Sequence, residues 1–283
     1  MNKIPPVLLM GFNRPDMCAV VFDVLRKVRP KELFFAVDGP RANHPEDTVA
    51  CQATRDLAHL VDWPCSLHTL FQSRNKGCRF APPAAISWFF DFVPYGIVLE
   101  DDCVPSLDFF PFAQEMLTRY ASEHRIGMVS GNNHYGFQTD QQTSYHFSRH
   151  TLLWGWATWA RAWRHYDIDM SRYSGQLDAI RATVGHTKRF RSYWWRYIKA
   201  VQEGLDAWDI QWAVALLANR QLSVSPATNL VANIGFTYES THTGYDCDAA
   251  LFSKISSIKF PLVHPETIEC DELADWMLEQ HHL

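Results

Sequence analysis

Short apolar runs alternate with helical stripes through the first half of the chain. Val7–Phe12, Leu33–Val37, Leu67–Phe71, Ile97–Leu99 and Ile126–Ser130 read as buried strands. Between them, Val20, Val24 and Val28 with Val21 and Leu25 recur at helical spacing, and Pro15 suits the first position of that helix. Ala53, Leu57, Leu60 and Val61 share one face of a second helix; Ala84–Phe92 and Phe109–Tyr120 form a third and a fourth. A β-α-β-α series with apolar strands this short predicts an α/β fold, a mainly parallel sheet flanked by helices on both faces.

The second half is less regular. Tyr145–Phe147 and Leu222–Ser225 read as strands, Thr187–Gln202 and Ile210–Asn219 as helices, and Asn229–Tyr245 as a mobile Gly/Thr/His/Asn loop. The tail from Pro261 carries a short amphipathic helix around Glu272–Gln280, expected to be peripheral. Eight of the 11 Trp fall between Trp154 and Trp212, which makes this half a Trp-rich subregion. No linker separates the halves. The expectation is one domain over 1–283, with a ligand-binding half at 1–131, a second half at 132–260 and a tail at 261–283.

In open α/β sheets, ligands bind beyond the carboxyl ends of the strands. Those ends read Asn13-Arg14, Asp38-Gly39-Pro40-Arg41, Arg74-Asn75-Lys76-Gly77 with Arg79, and Glu100-Asp101-Asp102. Three adjacent carboxylates at a strand end repel one another and raise each other's pKa. Either they hold a hard divalent cation, Mn²⁺ or Mg²⁺ completed by substrate phosphates, or they form an acidic turn ahead of the helix over Leu107–Tyr120. Neither a G-x-G-x-x-G nor a Walker A sequence is present.

Composition narrows the classes. A net charge of −5 gives no basic field for nucleic acid, and no apolar run reaches transmembrane length. The start, Met-Asn-Lys-Ile-Pro-Pro, does not read as a signal peptide. Seven cysteines without a C-x-x-C pair fit a reducing cytoplasm better than a disulfide scaffold.

Asn-Arg-Pro after the first strand, Val-Asp-Gly-Pro after the second and Glu-Asp-Asp after the fourth resemble the nucleotide and metal positions of GT-A fold nucleotide-sugar glycosyltransferases. Pro105, Phe109-Phe110, Trp208-Asp209 and Thr241-His242-Thr243-Gly244 extend the likeness over about residues 5–250, toward the inverting Golgi N-acetylglucosaminyltransferase family and its bacterial relatives. The resemblance implies a metal-dependent (Mn²⁺ or Mg²⁺) inverting transfer from a UDP-sugar or similar donor to a glycan or lipid-linked acceptor, with peripheral membrane contact compatible. It implies that Asp102 binds the metal, that Glu100 and Asp101 hold the ribose or support the site, and that Asn13, Arg14, Asp38 and Arg79 meet the nucleotide. His242 would meet the diphosphate or metal as its loop closes.

Asp209, between two Trp and ahead of a helix, is either the general base or that helix's N-cap. Trp154, Trp156 and Trp208 are candidates for the acceptor side, because indoles stack on sugar faces, although most Trp bury in cores. Asp167 and Asp169 are either acceptor-orienting groups or solvated loop carboxylates. Two other classes compete: a nucleotidyltransferase, which ordinarily carries a Gly-rich phosphate loop after strand 1, and a non-catalytic sugar-binding protein, which has no use for the acidic triplet.

Overall fold

The inner strands of the first half, Val7–Gly11 and Tyr95–Glu100, are apolar on both sides, and the structure, a computed structural model describing residues 4–235 and 254–281, shows why. In β1 (Val7–Gly11), Val7 and Leu9 face one core while Leu8 and Met10 face another. The chain continues through α1 (Pro15–Val28), β2 (Glu32–Val37), α2 (Pro45–Asp56), β3 (Ser66–Phe71), α3 (Ala81–Phe92), β4 (Tyr95–Glu100), β5 (Cys103–Pro105), α4 (Phe109–Arg119) and β6 (Ile126–Ser130). It then forms β7 (Tyr145–Ser148), β8 (Trp156–Trp159), α5 (Ala160–Trp163), α6 (Leu177–Thr183), α7 (Lys188–Gln202), α8 (Asp209–Ala218), β9 (Leu222–Pro226), β10 (Val231–Asn233) and α9 (Glu272–His281).

Eight strands make one sheet in the order β3-β2-β1-β4-β8-β6-β9-β7. β3, β2, β1 and β4 are mutually parallel, as expected. β8 runs antiparallel to both β4 and β6, so β6 and its parallel neighbour β9 point the same way as β1. β7 closes the edge antiparallel to β9. The fold is therefore α/β, with a mostly parallel central sheet between helices.

Three strands were not expected. β8 is part of a Trp-rich run, yet all four of its residues are buried: Trp156 faces the second core, Ala157 and Trp159 the first. β5 and β10 form a separate antiparallel pair, with Asn233 opposite Cys103, and β10 falls inside the stretch expected to be a mobile loop. Residues 236–245 of that stretch, including His242, lie outside the described residues.

The tail helix is not peripheral. In α9, Asp275 and Glu279 are buried; Asp275 accepts hydrogen bonds from Ser148 Oγ and the Arg149 N–H, and Glu279 bonds the rings of His150 and His186. Buried carboxylates remain charged only when so partnered, and here those partners lock the helix to β7 and to the turn before α7. No helix among the described residues is long and apolar enough to cross a membrane.

Candidate functional site

The parallel strands β1, β2 and β4 end together, and a cleft of about 880 Å³ opens at their carboxyl edge. Asn13, Arg14, Asp38, Glu100, Asp101 and Asp102 all line it, so three separated segments of sequence meet at one mouth.

The acidic triplet is held by Arg14. Its guanidinium bonds Asp101 through Nη2 and, at 3.4 Å, through Nε, and Nη2 lies 3.1 Å from Asp102 Oδ2. Burial would lower the Arg14 pKa, but the Asp101 and Asp102 charges raise it further, and it stays a cation throughout. One cation against three carboxylates leaves excess negative charge. Half-buried Glu100 is pushed up to about 8 by desolvation, then by Asp102, Asp101 and Asp209. Asp101, whose side chain is 4 % exposed, is pushed up to about 6 by burial in spite of Arg14.

Asp38 serves the site from inside a loop. Its carboxylate accepts the N–H groups of Gly39 (2.8 Å), Lys76 (3.0 Å) and Gly77 (3.2 Å) and the Asn75 amide (2.9 Å). Burial raises its pKa despite these donors. Gly39 makes the clasp possible, because a Cβ there would lie 2.4 Å from the Arg74 backbone. Asn13 likewise donates to buried Asp47 (2.7 Å), which Arg41 also grips at 2.6 Å. Both Asp38 and Asn13 line the cleft while their polar groups are committed to shaping it.

Arg79 is elsewhere. Its guanidinium donates to the Val201 carbonyl and to Asp169, both at 3.0 Å, and is not part of the cleft wall. That also accounts for Asp169 as an ion-pair partner. Asp167 accepts from Ser171 Oγ and the Arg172 N–H, each at 2.9 Å, ordering its own turn.

The three tryptophans separate. Trp154 is half-buried, lines the cleft and stacks on His134, with ring centroids 5.1 Å apart. Trp156 and Trp208 are 0 % and 3 % exposed and pack on each other, so neither offers a ring face to an acceptor. Their burial corrects the acceptor-side expectation for both: the strand and helix carrying them sandwich the indoles together with Trp163 and Trp212.

Asp209 is the first residue of α8; the N-cap is Trp208, which makes no side-chain cap bond. Asp209 is exposed, and its charge reaches Glu100. Near both, the Cys78 thiol is pushed up to about 12 by burial and then by Glu100, Asp209 and Asp206. Asp206 was not singled out from sequence. It lines the cleft and accepts the N–H groups of Cys78 (3.1 Å) and Arg79 (2.6 Å), pinning the start of α3 to the segment before α8. Asn233 and Gly235 also line the cleft, delivered by β10; Ile234 donates its N–H to the Asp102 carbonyl at 2.9 Å. The only sequence signal for these was proximity to residues already singled out.

Among the described residues, no group of three or more His, Cys, Asp or Glu is arranged to hold a metal ion. The triplet is instead a hard-oxygen donor set with unbalanced charge. That suits a divalent ion arriving with a diphosphate, which takes one or two protein carboxylates and fills its shell from phosphates.

No protein-family profile matches the sequence, and no curated protein is similar to it. Two solved structures share a distant likeness. One, a Bacillus anthracis protein assigned as a glucose-1-phosphate thymidylyltransferase in complex with sucrose, is 11 % identical; the match covers 57 % of this chain and 74 % of that one, with a TM-score of 0.35. The other, HddC from Yersinia pseudotuberculosis, is 12 % identical over 40 % of this chain, with a TM-score of 0.26; the match spans 55 % of HddC. Likeness at this distance carries nothing about activity.

Proposed function

We propose that the chain is a metal-dependent, inverting glycosyltransferase that moves a sugar from a nucleotide-diphosphate donor, UDP-linked foremost, to a saccharide or lipid-linked acceptor. The observation that carries the reading is the charge-unbalanced Glu100-Asp101-Asp102 triplet at the ligand edge of the sheet, with Asp209 near enough for its charge to act on Glu100. The order of Asn13-Arg14-Pro15, Asp38 and the triplet, which resembles the GT-A pattern, supports it.

In this reading Asp102 is the protein ligand of Mn²⁺ or Mg²⁺, and Arg14 fixes the orientation of Asp101 and Asp102 before substrate arrives. The bound ion would neutralise charge on the departing nucleoside diphosphate. Asp209 takes the proton of the acceptor hydroxyl as its oxygen bonds to the anomeric carbon and the bond to the diphosphate oxygen breaks. Exposure leaves Asp209 accessible to an acceptor, and its place at the start of α8 is compatible with a charged carboxylate.

The nucleotidyltransferase alternative lacks its phosphate loop. Between β1 and α1 the chain reads Phe12-Asn13-Arg14, with no glycine. The test is a panel of nucleotide sugars, with and without Mn²⁺, scored for nucleoside diphosphate release and for the anomeric configuration of the product. Metal-dependent UDP release with inversion is expected. Release of pyrophosphate from a nucleoside triphosphate and a sugar 1-phosphate would instead assign the nucleotidyltransferase.

A further inference from the structure

A second hollow, of about 780 Å³, lies beside the main cleft. The 74–77 loop is the partition between them: Asn75 and Gly77 line the cleft, while Arg74, Asn75 and Lys76 line the hollow. Asp38 sets this division by taking the Lys76 and Gly77 N–H groups on the cleft side. The Arg74 and Lys76 side chains are left to the hollow.

These two cations differ from the arginines around them. Arg14, Arg41 and Arg79 are each engaged by a carboxylate. Arg74 and Lys76 are exposed, and among the described residues neither makes a salt bridge, although the Lys76 charge bears on Asp38. The acidic group in the wall, Asp167, is turned onto Ser171 and Arg172. The hollow therefore carries positive charge available to a ligand.

The remaining wall is suited to a sugar ring. Phe80 is 53 % exposed, with Pro83, Ala84 and Ile168 also lining the space. Ser87 Oγ, also in the lining, accepts from Trp163 Nε1 at 3.0 Å. Tyr166 stacks on Trp163 and donates its hydroxyl to the Trp208 carbonyl at 3.2 Å, next to Asp209, whose charge also bears on the Tyr166 phenol. One end of the hollow thus adjoins the group assigned as base.

We propose that this hollow is the acceptor subsite and that the acceptor is a saccharide carrying an anionic group, a uronic carboxylate or a sugar phosphate. Phe80 underlies the C–H face of the ring, and Arg74 and Lys76 hold the anion. The assignment as an acceptor subsite rests on the transferase reading; the ligand chemistry does not.

The test is equilibrium binding, without donor or metal, of three probes: a glucuronate-terminated disaccharide, a disaccharide phosphate and the neutral disaccharide. An anionic probe should bind about tenfold tighter than the neutral one, the worth of one charge-assisted contact. Arg74→Gln with Lys76→Gln should remove that preference, and Phe80→Ala should weaken all three probes alike. The tighter of the two anionic probes identifies the source of the charge. Equal affinity for charged and neutral probes, or a preference that survives the double substitution, overturns the proposal. A charge preference without sugar transfer from any donor keeps the ligand chemistry and removes the transferase reading; transfer to neutral acceptors alone does the reverse.

Discussion

Arg14 and Asp101 are joined across 87 positions of sequence by a two-pronged ion pair, and the same guanidinium reaches on to Asp102 at 3.1 Å. The cleft mouth is thereby organised before any ligand enters. Arg14 is also the residue immediately ahead of α1, so its position is set by the helix start as well as by the carboxylates.

Removing Arg14 should leave Asp101 as a buried charge without its partner. A fully buried pair broken on one side costs about 3–5 kcal/mol, but Arg14 is 40 % exposed and solvent screens much of that. Arg14→Met is therefore expected to lower stability by about 1–2 kcal/mol in urea denaturation. Adding Asp101→Asn should recover most of the loss. A strictly additive double-mutant cycle would show that the pair is not coupled.

Asp102→Ala should abolish the Mn²⁺-dependent part of thermal stabilisation by UDP, because it removes the carboxylate assigned to the metal. The substitution leaves the Arg14–Asp101 pair in place, so the melting temperature without ligand should change little. Metal-dependent stabilisation that persists in Asp102→Ala would move the metal to another residue.

Asp209→Asn should lower kcat about 10²–10⁴-fold while donor affinity stays close to wild type, since the amide cannot accept the proton. Because Asp209 is the first helical residue and not the cap, its structural cost is the lost interaction with the helix dipole, about 0.3–1 kcal/mol. Near-wild-type turnover, or a product with retained configuration, would remove Asp209 from the role of base.

The α9 latch should weaken in acid. Burial opposes charge on Glu279, but hydrogen bonds from His150, His186 and the His186 N–H outweigh it and hold its pKa down at about 2, against an ordinary 4.5. As pH falls, the unfolded chain takes up this proton first. The carboxylate's stabilisation is thus complete above about 4.5 and is lost as pH drops toward about 2. Glu279→Gln should therefore be less stable than wild type at pH 6, with the gap closing toward pH 2.5. Amide hydrogen exchange across Glu272–His281 would report the same loss locally. A gap independent of pH would mean that the Glu279 charge does not hold the helix.

The β-α alternation of the first half was legible because its signals are local. Apolar runs of strand length, Pro15 at a helix start and the Val20–Val28 stripe each depend on neighbours within a few residues. The acidic triplet could be read as a ligand site for a similar reason: three adjacent carboxylates after a buried strand demand a counter-charge wherever they end up. The sequence by itself therefore determined the parallel core and most of the polar groups that gather at the carboxyl edge of its strands.

Only the tertiary structure decided what each of those groups meets. The counter-charge on Asp101 is Arg14, Asp38 is spent on the N–H groups of another loop, and Arg79 turns away to Asp169. A tryptophan reads the same in sequence whether it stacks on a sugar or on another indole. Trp154 reached the cleft while Trp156 and Trp208 were buried, because β8 inserts between β4 and β6 and α8 packs against it. Strand insertion, like the docking of α9 by buried Asp275 and Glu279, depends on contacts between residues far apart in the chain. Those pairings are chosen by what the assembled faces can bury and neutralise together, and no local pattern carries that information.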